Sequence, residues 1–309
     1  MDVGNQTTFN EFLLLGFTDI RGLQILLFVL FLLLYLVTLL GNIGIILVIH
    51  IDHCLDTPMY YLLSNLSFLD LSYSSSVAPN TMTNLLVERR TISFIACATQ
   101  LFSFAIFGTA EVYILAAMAF DRYIAICLPL LYTTIMKKSF CLQLVVCSYV
   151  LSFLQSLIVT TSIFRLRFCR SNVISHFFCD VPPLLKLSCS STTFIEILIY
   201  TLGGFAEVSS ISIIIVSYVY IISTILKIPS ASGRLNTFST CASHFTVVTL
   251  FYGTVFFMYF RPSSNYAKGQ ERVVSVVYTM VIPMMNPLIY SLRNKDVKKA
   301  LRKAKSKRV

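Results

Sequence analysis

The chain has 309 residues, of which 56% are hydrophobic and only 12% charged, and its formal net charge is +10. Soluble globular proteins carry roughly 25% charged residues and about 45–50% apolar ones, so a water-soluble fold is excluded and the surplus apolar surface must face lipid. The basic excess does not indicate nucleic acid: nine of the 24 Lys and Arg residues follow Ser291, in a tail suited to an anionic lipid surface, and no recognition module accompanies them.

Residues 1–22 are polar or mixed and lack the basic start and short apolar core of a cleavable signal. They are expected to form an external N-terminal segment. The first long apolar run, Leu23 to Ile49, exceeds the roughly 20 residues that cross a bilayer and reads as a first span that also directs insertion. Seven runs of this kind follow one another, near 23–50, 58–80, 97–127, 140–163, 196–226, 237–260 and 270–292. The second and seventh are the weakest by hydropathy, since each holds polar residues and a proline better suited to a bundle interior than to lipid. The expected organisation is a seven-helix domain over 23–292 and a basic cytoplasmic tail over 293–309.

An odd number of spans sets the termini on opposite sides. Asn5-Gln6-Thr7 is a glycosylation sequon and favours an external N-terminus. The basic residues agree, with 14 of 24 on the inner side and 10 outside. Four of the nine cysteines, Cys97, Cys169, Cys179 and Cys189, then lie outside, where oxidation is allowed. They admit three pairings; the favoured one joins Cys97 to Cys179 and Cys169 to Cys189.

The span count names no function, but the motifs do. Met118-Ala119-Phe120-Asp121-Arg122-Tyr123-Ile124-Ala125-Ile126-Cys127 closes the third span. Gly41-Asn42 marks the first, and Pro58-Met59-Tyr60 with Leu66-Ser67-Phe68-Leu69-Asp70 the second. Ser217-Tyr218 lies in the fifth and Phe238-Ser239-Thr240-Cys241-Ala242-Ser243-His244 opens the sixth. The seventh ends in Pro283-Met284-Met285-Asn286-Pro287-Leu288-Ile289-Tyr290-Ser291-Leu292-Arg293-Asn294. In this order and spacing they resemble the olfactory (odorant) receptors, of the tetrapod-type class II, within the rhodopsin-like (class A) G-protein-coupled receptors. The resemblance covers nearly the whole chain. Two departures stand out: Phe120 replaces the usual Tyr, and Asn236-Thr237 replaces a usual Lys-Ala, which removes one cytoplasmic positive charge.

The resemblance implies an all-α seven-transmembrane bundle with a short amphipathic eighth helix built on Val297, Ala300, Leu301 and Ala304. It implies that Asp121, Arg122, Tyr123, Tyr218, Asn286, Pro287 and Tyr290 form the activation machinery. The carboxylate of Asp121 would hold Arg122 at rest, and activation would free Arg122 toward the G protein and Tyr218. Asp70 and Glu111 are expected to face one another; two adjacent carboxyls cannot both ionise freely, so either a sodium ion sits between them or one is protonated. No other cofactor is implied.

The ligand is expected in the outer half of the bundle. Phe104, Ala105, Gly108, Thr109 and Val112 share one face of the third helix by their three-to-four spacing. Tyr252, Val255, Phe256 and Tyr259 do the same on the sixth. Gly203, Gly204 and Glu207 add from the fifth, Val276 and Thr279 from the seventh. Such a lining, apolar with a few hydroxyls, suits a small hydrophobic molecule with one polar group. The implied partners are a small volatile organic ligand, a stimulatory, olfactory-type heterotrimeric G protein, the lipid bilayer and accessory trafficking proteins, with the receptor in the plasma membrane.

A transporter would show internal repeats, and none is evident. An enzyme would need clustered ligands or a nucleophile motif. The four histidines, His50, His53, His176 and His244, fall on both sides of the membrane. The remaining rival is a rhodopsin-like receptor for a non-volatile metabolite.

Overall fold

The computed structural model describes residues 10–169, 171–259, 270–293 and 297–300. Along the first helix, α1 (Arg21–Ile51), the amphipathic pattern is inside out. Leu26, Leu33, Leu40 and Leu47 recur every seven residues and are all more than half exposed, whereas Gln24, Phe31, Thr38 and Ile45, offset along the same repeat, are buried. With lipid outside, the leucines need no protein partner. The polar groups turn inward, where other helices satisfy them.

Six further spans complete the bundle: α2 (Pro58–Leu86), α3 (Phe94–Cys127), α5 (Lys138–Phe164), α7 (Thr193–Leu226), α8 (Ala231–Tyr259) and a composite seventh made of α9 (Gln270–Val276), a π-helical turn (Val277–Val281) and α10 (Ile282–Arg293). Two short helices lie between them, α4 (Tyr132–Ile135) and α6 (Val181–Lys186). Among the described residues five stretches are long and apolar enough to cross a membrane unaided, and Arg272–Tyr290 is one of them. The seventh span is therefore stronger than its polar residues suggested; the second is not among the five. The ends lie within a few residues of the expected bounds, except that α2 runs on past Pro79 to Leu86 and α8 begins at Ala231, six residues before the expected 237.

The π-helical turn has a local cause. Pro283 has no N–H to give to the carbonyl of Thr279, so the helix widens just before it, and the Ile282 N–H reaches back to Val277. Four residues on, Pro287 likewise leaves the carbonyl of Pro283 without its helical donor. The Asn42 amide Nδ2 supplies one at 3.1 Å while also donating to Thr38 O at 3.0 Å. The two helices meet closely here because residue 41 is glycine: a Cβ at Gly41 would lie 2.8 Å from Pro287 Cγ.

A small sheet unforeseen from the sequence caps one end of the bundle. Strand β1 (Glu11–Leu14) sits between β2 (Thr91–Ser93), antiparallel, and β3 (Val173–Ile174), parallel. Phe12 and Ile174 are fully buried beneath it in a cluster with Cys97, Cys179 and Leu184. The larger core lies in the other half, where Leu62, Leu66, Leu69, Ile114, Leu115, Met118, Tyr218, Val247 and Tyr290 pack together.

Candidate functional site

Two disulfides fix the sheet-bearing end. Cys97, in the first turn of α3, is joined to Cys179 with Cα atoms 5.5 Å apart, and Cys169 to Cys189 at 5.8 Å. The loop between α5 and α7 is thereby drawn over the bundle. Gln100 pins it further, accepting from the Cys179 N–H and donating to Ser76 O, both at 3.0 Å. Asp180 caps α6 by accepting from its own neighbour Val181 N–H at 2.8 Å. His176 is buried, 3.1 Å from the Ser275 hydroxyl, with its ring stacked on Phe177 and edge-on to Phe178. Burial, with the Arg272 guanidinium nearby, pushes the His176 imidazole down to about 3, so the ring is neutral.

Phe177 and Phe178 form a roof. Beneath it Phe104 packs against Phe178 (5.2 Å between centroids), stacks on Tyr73 (4.8 Å) and approaches Tyr278 (6.1 Å). Val276 packs into the same cluster. Gly108 passes close under the Tyr73 ring, where a Cβ would lie 3.1 Å away. Ala105 and Thr109 are half-buried and Val112 is buried, in one cluster with Tyr252 and the partly buried Val255. Thr279 is buried and donates to Ser275 O at 2.7 Å. Gly203 and Gly204 leave open space beside α7, with no atom within 4 Å of where a Cβ would stand. One turn further along lies Glu207, whose Oε2 is buried without a hydrogen-bond partner; Ser210 Oγ and the Tyr252 hydroxyl are also buried, with no partner beyond one another. Phe256 stands apart: it is 64% exposed although Tyr252, one turn away, is buried. The side chain of Tyr259 lies outside the described residues.

Midway along the bundle a polar cluster joins four helices. Asp70 is fully buried and accepts from Asn286 Nδ2 through both carboxyl oxygens, at 3.0 and 3.1 Å. Glu111 is equally buried, is an electrostatic neighbour of Asp70 and lies within reach of the Asn286 side chain. Three acceptor atoms here have no donor, Glu111 Oε1, Asn286 Oδ1 and Asn42 Oδ1. No group of three or more His, Cys, Asp or Glu side chains suited to a metal occurs among the described residues.

At the opposite end, Asp121 does not close on Arg122. Its Oδ1 accepts from the Tyr132 hydroxyl of α4 at 2.9 Å, and among the described residues the ion pairs are Arg90–Asp19 and Lys138–Asp56. The hydrogen bond comes from a tyrosine because α4 brings a hydroxyl to a carboxylate that would otherwise be buried unmet, while Arg122 stays its electrostatic neighbour. Asp121 Oδ2 and Arg122 Nε have no partner. Tyr123 packs beside Phe120 and, across α7, Tyr220. Tyr218 is engaged by His244, with Nδ1 2.8 Å from its hydroxyl and Nε2 3.1 Å from Leu115 O. A carbonyl only accepts, so in the neutral ring Nε2 carries the hydrogen and Nδ1 accepts from Tyr218. Thus His244 ties α7, α8 and α3 together. The Tyr290 hydroxyl is buried with no partner. Tyr132, His244, Gln100 and His176 were not singled out as site residues from the sequence; only His244 had a signal, as a polar residue within a motif that opens an apolar span.

Seven spans, a loop tethered to α3, a proline-relieved seventh helix joined to Asp70 and an Asp-Arg-Tyr turn at the far end define a seven-helix receptor of the G-protein-coupled class. Among solved structures, squid rhodopsin shares this fold with a TM-score of 0.73, covering 92% of this chain and 80% of its own at 18% identity. The family profile described as olfactory receptor matches residues 31–308, and the chain belongs to the olfactory receptor family. It is similar to olfactory receptor 5AU1 of Homo sapiens, 55% identical over 94% of this chain and 80% of that protein. It is likewise similar to olfactory receptor 5AR1 of Mus musculus, 53% identical over 98% of each. The chain is therefore a multi-pass receptor of the plasma membrane and not an enzyme, and its class implies a small ligand and a G-protein partner.

Proposed function

We propose that this receptor binds a small, mostly hydrophobic volatile molecule among α3, α7, α8 and the seventh span. The ligand shifts the bundle to a state that engages a stimulatory, olfactory-type G protein and raises cyclic AMP. The observation that carries the reading is the pairing of a half-buried, mostly apolar lining under a loop roof with a set of unclosed polar contacts at the far end. A ligand moves such an equilibrium only by its differential affinity for the two states. On this reading Phe104, Ala105, Gly108, Thr109, Val112, Gly203, Glu207, Tyr252, Val255, Phe256, Tyr259, Val276 and Thr279 bear the ligand, and Tyr252→Ala alters the response to it.

Activation then exchanges partners. Tyr218 leaves His244, Arg122 turns toward the G protein and Tyr218, and Tyr290 swings inward on the helix that Pro287 weakens. In the resting state a sodium ion held by Asp70 and Glu111 fits the acceptors left unmet there, and would offset the charge of one carboxylate, the other carboxyl keeping its proton.

The disulfide end faces outside, with Asn5 (outside the described residues) carrying the glycan, and the Asp-Arg-Tyr end faces the cytosol. The confinement of both disulfides to one end supports this. The basic tail serves to meet the inner leaflet; of it 297–300 is helical, with Val297 and Ala300 buried, while Leu301 and Ala304 lie outside the described residues.

The test is cyclic AMP in cells with verified surface display, across a panel of volatile compounds, with Arg122→Ala as matched control. A dose-dependent rise lost in the control is expected. No rise across a broad panel overturns the volatile-ligand reading and leaves a non-volatile metabolite as the ligand class.

A further inference from the structure

Under the roof, a cluster of polar atoms lies between α7 and α8. Glu207 Oε2, Ser210 Oγ and the Tyr252 hydroxyl are buried there with no hydrogen-bond partner outside the cluster, the Ser210 and Tyr252 side chains lying within reach of one another. Ser210 and Tyr252 are both more than nine-tenths buried. Glu207 and Ser210 are three residues apart on α7 and so share a face. The carboxyl of Glu207 is the electrostatic neighbour of Tyr252 on α8 and of Glu111 and Tyr113 on α3, so it lies within reach of both helices. One turn away, Gly203 and Gly204 leave room for a ligand to reach it.

The charges at this level are all of one sign. Glu207 neighbours Glu111, which neighbours Asp70. The basic groups on the facing helices lie elsewhere: Arg122 is about three turns along α3 from Glu111, and the His244 ring is engaged by Tyr218 and Leu115. A buried carboxyl in a membrane without a partner is costly and marks a functional group.

We propose that Glu207, Ser210 and Tyr252 are the recognition site for an amino group, and that the receptor is tuned to small hydrophobic amines. The proposal rests on the reading that the ligand lies among α3, α7 and α8. A primary ammonium carries three donors and one positive charge, which matches three acceptor-capable oxygens, one of them a carboxyl. An alcohol brings one donor; an aldehyde, ketone or ester brings none. Charge is conserved on entry. A neutral amine arriving through air or membrane takes the proton of the Glu207 carboxyl, the O–H bond breaking as the N–H bond forms, and the resulting ion pair has no net charge.

The test uses the full-length receptor in lipid nanodiscs and three probes of one chain length: hexylamine, hexanol and hexanal. Hexylamine is expected to raise the melting temperature at a concentration roughly tenfold or more below that needed for the other two, the usual worth of a charge-assisted contact. Glu207→Gln should erase that preference, and Tyr252→Phe and Ser210→Ala should each reduce it severalfold. Equal potency of the three probes on the unaltered receptor overturns the proposal, as does an amine preference that survives Glu207→Gln. The same probes in the cyclic AMP assay separate the two readings. Stabilisation by hexylamine with no cyclic AMP keeps the site and rejects the signalling scheme. Responses to other volatiles without an amine preference reject the site and keep the scheme.

Discussion

The two ends of the bundle are built on opposite principles. At the sheet-bearing end two disulfides, three paired strands, the Gln100 bridge and the Phe177–Phe178 roof hold one arrangement. At the Asp-Arg-Tyr end no disulfide or strand pairing occurs among the described residues, and the links are side-chain contacts: Tyr132 to Asp121, His244 to Tyr218 and Leu115, and the ion pair of Lys138 with Asp56. Covalent links and strand pairing hold one structure, whereas elements joined by single side-chain contacts have other arrangements close in energy. The difference places rigidity where a ligand must be shaped against the protein and bistability where a partner must be admitted.

Substitutions should break this contrast in order of size. Arg122→Ala is expected to abolish G-protein signalling while surface display, read by antibody to an external tag, stays intact. Cys97→Ser should cost roughly 2–5 kcal/mol, the usual worth of a structural disulfide, and be seen as a steep loss of folded receptor at the surface. Asn42→Leu leaves the Pro283 carbonyl without a donor and should cost about 1–3 kcal/mol, measured as a lower melting temperature of the purified receptor. Tyr132→Phe removes one hydrogen bond from Asp121, worth on the order of 1 kcal/mol. It should raise ligand-free cyclic AMP severalfold without lowering the melting temperature much.

The smallest effect at neutral pH concerns His176. Its imidazole is held at about 3 in the folded protein against an ordinary 6.5. Between those values the unfolded chain binds more protons than the folded one, so stability rises with pH from about 3 to about 6.5 and is flat above. Melting temperature should therefore fall as pH drops from 7 to 5, and His176→Phe should flatten that slope.

Much of this architecture was legible in the sequence. Apolar runs long enough for a bilayer, broken by Pro283, Pro287 and Asp70, placed the spans and the polar cluster between them. Asn42 could be anticipated as a group that satisfies a proline-weakened helix, whereas Asn286 donates to Asp70 instead. The sheet was not legible, because its strands are two to four residues long and come from segments far apart in the chain. Nor were the Tyr132–Asp121 and His244–Tyr218 contacts, which depend on where single polar atoms land after packing.

The central claim is that a ligand held at the rigid end loosens the other. Hydrogen exchange of the receptor in nanodiscs, with and without an activating ligand, tests it directly. The account predicts faster exchange around Tyr218 and His244 on ligand binding and unchanged or slower exchange around Cys97 and Cys179. Unchanged exchange around Tyr218 and His244, in the presence of a ligand that raises cyclic AMP, would contradict it.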